Sequence, residues 1–208
     1  MNGLFFYIGL GAGLAAACGL RPFLPALLAG ALGSANVLGV DFPAGNYHFL
    51  ESGWWLLAVA VAFALAWALQ LLLGLSPVYD PVTREPRRDA LAAALTGMAY
   101  GGGAVLFAGT LAAHGDAPWA GVLGGLAIVA LVQLVAAPVL WGARGRLTDR
   151  PAREALTLYL DGAALLLAAL VSALHPLGYV ALAGFVWLLL RRRSRGGQKY
   201  AGLRILGR

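Results

Sequence analysis

Charge is the scarcest commodity in this 208-residue chain. Asp, Glu, Lys and Arg make up 12% of it, against 61% hydrophobic residues and a mean hydropathy of +0.79. A soluble domain carries about a quarter charged residues. Here the apolar residues come in runs near the roughly 20 residues that cross a bilayer as helix, which excludes a soluble globular fold. Cysteine is nearly absent. Cys18 stands alone, so an intrachain disulfide and C-x-x-C metal or redox spacings are excluded. The opening MNGLFFYIGLGAGLAAACGL has no positive n-region, and its apolar run outlasts an h-region, so it reads as a retained membrane segment. No nucleophile–base pair, H-E-x-x-H, P-loop or G-x-S-x-G pattern is present. The chain is not expected to be an enzyme, and no catalytic residue, cofactor or metal site is assigned.

What is present is a series of hydrophobic segments, at about 3–19, 22–39, 53–74, 89–112, 118–142, 155–172 and 177–190. None alternates like a strand. The expected fold is all-α: a polytopic integral membrane helix bundle of six or seven transmembrane segments. Residues 1–190 form its single helical domain, and 191–208 a basic tail.

The net charge of +6 comes from 15 basic residues, and their placement is informative. Arg84, Arg87 and Arg88 share one loop; Arg144, Arg146, Arg150 and Arg153 share another; seven more lie between Arg191 and Arg208. The alternate loops at 40–52, 113–117 and 173–176 hold none. This positive-inside pattern places the basic loops and the C-terminus in the cytoplasm. No aromatic interleaving accompanies the bases, so nucleic acid is not an expected partner. The tail is expected to lie on anionic lipid headgroups, at about 1 kcal/mol per basic side chain near the surface.

Arg21 is the remaining base, in AACGLRPFLPALL. Residues 3–33 could form one long broken helix. Alternatively, 3–19 and 22–39 form a hairpin at Gly19–Pro22, with the N-terminus outside and Arg21 in a cytoplasmic turn. The hairpin makes all the bases obey one rule. Gly19 can end a helix and Pro22 can begin one.

Asp161 lies about two turns into a predicted span, where an unpaired acid costs a few kcal/mol. A pair with Arg21 near the cytoplasmic side would neutralise both. Gln70, Thr96, Tyr100 and Gln133 are the other polar side chains within spans, expected as interhelical hydrogen bonds of about 1 kcal/mol each. His48, His114 and His175 fall in the predicted outer loops with Asp41, Glu51 and Asp116. They lack ligand spacing and read as solvated loop residues rather than a metal site. Tyr47, Trp54, Trp55, Trp119, Trp141 and Trp187 lie near segment ends, as interfacial anchors do. Gly9/Gly13, Gly97/Gly101 and Gly121/Gly125 have the G-x-x-x-G spacing, read as packing within one subunit, with a homo-oligomer seam as the alternative.

Three stretches carry a resemblance. GLAAACGLRPFLPALLAGALG, REALTLYLDGAALLLAALVSALHPLGYVALAGFVWLLLRRR and KYAGLRIL follow one another in this order. They resemble an uncharacterised family of small bacterial polytopic membrane proteins with a GLRPF-type N-terminal motif. The chain departs after residue 55, where an acidic pair is expected and ALAWALQLLL stands. The resemblance implies Arg21, Asp161 and His175 as motif positions, a bacterial inner-membrane location and no particular chemistry. The functional expectation is a multi-pass protein that binds or passes a small solute or ion through the bundle. The alternative is a non-transporting scaffold that organises lipid or a partner.

Overall fold

A computed structural model describes residues 3–42, 45–72, 90–147 and 149–201. The basic loop with Arg84, Arg87 and Arg88, and the chain beyond Ala201, lie outside the described residues. Within them the protein is all helical: α1 (Leu4–Leu20), α2 (Phe23–Ser34), a short 3-10 helix (Gly45–Glu51), α3 (Gly53–Leu72), α4 (Ala90–Ala112), α5 (Pro118–Arg146), α6 (Arg150–Ala173) and α7 (Leu177–Ala201). Four helices, α3 to α6, are long and apolar enough to cross a bilayer. The expected six or seven spans are therefore not what the described residues display. α1 and α2 are apolar but short, about 25 Å and 18 Å at 1.5 Å per residue. α7 runs unbroken past residue 191, so the basic segment starts as helix rather than as a separate tail.

Large apolar side chains cover the outside. Leu65, Leu134, Leu166 and Val180 are each about 60% exposed, and Trp54 is 83% exposed. Such a continuous apolar exterior suits a hydrocarbon solvent. The core is instead built around α1, which touches α4, α5, α6 and α7. All eleven of its residues from Gly9 to Gly19 are buried. Their sequence, GLGAGLAAACG, explains how one helix can have so many neighbours. Small side chains let backbones approach, and packing drives association where lipid offers no hydrophobic gain. Gly13 lies against Val171 of α6 and Gly19 against Val132 of α5. A Cβ at Gly9 would come within 2.6 Å of the His175 carbonyl, and one at Gly125 within 2.5 Å of the Gly103 carbonyl. Two of the three G-x-x-x-G pairs thus pack inside the subunit. Gly97 and Gly101 do not, since each faces open space.

α1 and α2 form a hairpin. Tyr7, near the start of α1, lines the same cavity as Asn36 and Gly39, just past the end of α2. Proline, rather than Gly19, makes the break. Steric contact with a proline ring drives the preceding residue out of the helical region, and Arg21 is extended at φ −152° and ψ 125°. At its far end α2 stops at Ser34, short of the expected residue 39. Asn36, Leu38 and Gly39 are left-handed, with φ of 54°, 61° and 70°.

α5 continues through Pro138. Proline has no N–H to donate, which frees the carbonyl four residues earlier. That carbonyl, on Leu134, accepts a hydrogen bond from Arg192 Nη1 of α7 at 3.3 Å.

Glycine contacts give a paired expectation. A Cβ at Gly178 would run into the backbone of Gly9, whereas one at Gly184 meets nothing within 4 Å. Gly178→Ala should lower stability by about 1–3 kcal/mol through overpacking, and Gly184→Ala should not destabilise. Thermal melting in detergent checks both.

Candidate functional site

The α1–α2 turn gathers the polar groups of the bundle interior. Arg21 Nε lies 3.0 Å from Asp161 Oδ1, and both side chains are largely buried. α1 ends here, leaving carbonyls with no intrahelical donor. Gln133 Nε2 of α5 donates to one of them, the Gly19 oxygen, at 2.8 Å. A cation at the carbonyl end of α1 also has the favourable sign for the helix dipole. Three of the expected site residues, Arg21, Asp161 and Gln133, therefore belong to one cluster.

The turn is deeper than expected. Asp161 stands eleven residues from the start of α6 and twelve from its end. Gln133 stands fifteen and thirteen residues from the ends of α5. Gly102 of α4, next to the Cys18 sulfur, is twelve and ten residues from the ends of its helix. Arg21 thus lies opposite the middle of three long helices rather than level with their ends. The hairpin turns back halfway along these helices. The segment lengths carried this signal, since a 12-residue α2 cannot reach across about 30 Å.

The remaining expected groups are dispersed. Thr96 hydrogen-bonds the Ala92 carbonyl of its own helix at 2.8 Å, so it ties nothing to a neighbour. Gln70 and Tyr100 are half-buried, and no interhelical hydrogen bond from either is present among the described residues. Trp55 is half-buried against the bundle rather than splayed into an interface, while Trp54 and Trp119 are exposed.

The histidines also depart from expectation. His48 is exposed and stands 3.8 Å from Glu51. His114 and His175 instead line one cavity of about 380 Å³ with Phe6, Tyr7, Asn36, Gly39 and Asp41. His114 is exposed, as a loop residue would be, whereas His175 is half-buried, so the expectation of solvated residues fails for His175. The ring of Tyr7 stacks on His114. His114 Nδ1 lies 2.9 Å from the Thr110 carbonyl. A carbonyl only accepts, so Nδ1 holds the hydrogen and the neutral ring keeps a lone pair on Nε2. His175 Nε2 is buried without a hydrogen-bond partner. Burial, and then the neighbouring His114, push the His175 pKa below the ordinary histidine value. No group of three His, Cys, Asp or Glu side chains suited to a metal ion occurs among the described residues.

A second cavity, also about 380 Å³, has an apolar lining from α2, α3 and α4. Pro22 and Phe23 mark its deep end, beside the turn. Trp55 and Ala62 form one wall, and Met98 and Gly102 the other. Trp55 Nε1 is buried with no hydrogen-bond partner. Sequence reasoning missed both cavities, because each joins segments far apart in the chain.

No family model, curated protein or solved structure matches the chain.

Two outcomes follow. Removing one member of a buried ion pair strands the other charge, at about 3–5 kcal/mol. Arg21→Ala and Asp161→Ala should each lower the melting temperature, and the double variant should lose less than their sum. Strict additivity in a melting cycle would remove the coupling. For His175 the neutral form is favoured in the fold. Its contribution to stability is present above the ordinary value of 6.5 and is lost as pH falls below it. The melting temperature should therefore decline as pH falls below about 6.5, and His175→Gln should flatten that decline.

Proposed function

We propose that the protein is a non-conducting membrane protein that holds the hydrocarbon chain of a bilayer lipid in the cavity between α3 and α4. One observation carries this reading. The opening that reaches the middle of the bundle is apolar, and it lies between helices rather than along an axis. α2 contacts both α3 and α4, whereas α3 and α4 make little contact with each other, so the cavity has a floor and two walls. Its volume, about 380 Å³, lies within the roughly 300–1,000 Å³ of small-molecule sites. The charged groups at mid-depth face each other, with Arg21 Nη2 alone left without a hydrogen-bond partner among the described residues. Asp161 faces Arg21, and Gln133 caps α1. A solute path would need those groups turned toward water.

The basic loops support an orientation in the bacterial inner membrane with the C-terminus in the cytoplasm. The end of the bundle that carries His114 and His175 then faces outward, and the hairpin enters from that side. The lipid enters sideways from the outer leaflet. The reading assigns no catalytic step.

Gly101 lines this cavity and has open space where a Cβ would go. Gly101→Leu should fill the cavity while leaving the melting temperature unlowered. Native mass spectrometry should show retained lipid on the wild type. The variant should retain on the order of tenfold less, equivalent to about 1.4 kcal/mol. Equal lipid on both proteins, or none on the wild type, would overturn the assignment.

A further inference from the structure

The geometry points to the cavity formed by Tyr7, Asp41, His114 and His175 as a binding site for a small ammonium group. This site is separate from the apolar cavity and stands or falls independently of it. Four distant segments build it: the start of α1, the connection after α2, the end of α4 and the α6–α7 turn. Its lining contains one carboxylate, two imidazoles and an amide, and no lysine or arginine. The lining thus offers a carboxylate and no fixed positive side chain. An anion is therefore disfavoured and a cation favoured.

The acceptors fit a donor with several hydrogens. His114 Nε2 has a lone pair, because Nδ1 is committed to the Thr110 carbonyl. His175 Nε2 is buried and unpartnered, an arrangement that costs free energy unless something pairs with it. No hydrogen bond to Asp41 is present among the described residues. An ammonium carries N–H donors and no acceptor, which suits a lining that offers a carboxylate and imidazole nitrogens. Phe6 and Tyr7 supply aromatic surface for the carbon substituent and for cation–π attraction.

The backbone supports a built site. Gly39, at φ +70°, places its α-carbon beside the His175 ring; a Cβ there would lie 3.6 Å from Cε1 and 3.7 Å from Nε2. Asn36 is left-handed as well. Non-glycine residues hold that conformation at a cost of about 1–3 kcal/mol when the surroundings enforce it.

A primary ammonium could arrive as a free amine or as the headgroup of an ethanolamine lipid. Calorimetric titration of the full-length protein with ethylammonium chloride tests the shared chemistry. In phosphatidylcholine nanodiscs near pH 7.5 the wild type should bind saturably. Asp41→Asn should weaken binding by about tenfold or more, and His114→Gln should weaken it less. Affinity for the unsubstituted protein should fall on acidification, because a protonated His175 repels the ligand. That measurement needs no variant to fold. Repeating the titration in phosphatidylethanolamine nanodiscs separates the sources: lost ethylammonium binding identifies the lipid headgroup, and unchanged binding identifies a free amine. Absence of saturable binding by the wild type, indifference to Asp41→Asn, or tighter binding at acid pH would overturn the site.

Discussion

A guanidinium and a carboxylate 3.0 Å apart, halfway along the bundle, set the terms for everything around them. Neither could remain charged alone among apolar helices without a cost of several kcal/mol. Each is therefore tied to the other, and the tie fixes positions in three helices. α1 must stop where Arg21 reaches Asp161. α2 must begin there, and α6 must present its twelfth residue to that point. The irregular backbone of the turn is tolerated at this depth because protein, not lipid, surrounds it. Gln133 completes the arrangement by satisfying a carbonyl that the helix end leaves open.

The composition of α1 follows from that constraint. A helix that ends mid-bundle gains little from contact with lipid. It is held by neighbours on every side, and only small residues let four other helices come close. Gly9, Gly13 and Gly19 each face a different partner, a carbonyl or a valine, at distances that exclude a side chain. The short α2 then determines the cavities. It supports α3 on one side and reaches α4 on the other, which leaves the gap above Pro22 and Phe23 apolar and unfilled.

Much of this was legible in the residues. The apolar runs located α3, α4, α5 and α6 to within about five positions, whereas α7 runs eleven residues past its apolar segment. G-L-R-P located the hairpin, and the isolated charges Arg21 and Asp161 identified their own pairing. The depth of the turn was misjudged for a physical reason. Apolar character marks which residues avoid water, not how far a helix travels. Residues 35–39 read as a continuation of α2 because Val37 and Leu38 are apolar, yet both are exposed on an irregular connection. The histidine cavity was illegible because its members are solitary in sequence: Tyr7, Asp41, His114 and His175 have no common spacing. Their proximity exists only once the hairpin returns α2 to the level of the start of α1. The role of Arg192 was hidden in the same way. The carbonyl it serves, on Leu134, lies 58 residues away in the chain.

Residues 36–42 and 45–51 border both cavities, and their energetics show why they can hold their shape. Left-handed backbone at Asn36 and Leu38 costs about 1–3 kcal/mol per residue. Against this, Val40, Phe42 and Leu50 are fully buried in the cluster that includes Leu10, Leu14 and Leu106. Burying a side chain of that size contributes about 1.5–3 kcal/mol, so three of them outweigh the two strained residues. Glu51 adds a further tie by accepting a hydrogen bond from the Phe42 N–H. The same anchored connection presents Gly39 and Asp41 to the polar cavity and Leu50 to the apolar one. Phe42 lies with Leu50 against Gly109 of α4, on the dry side of the connection. A displacement of this connection would therefore alter the walls of both openings together.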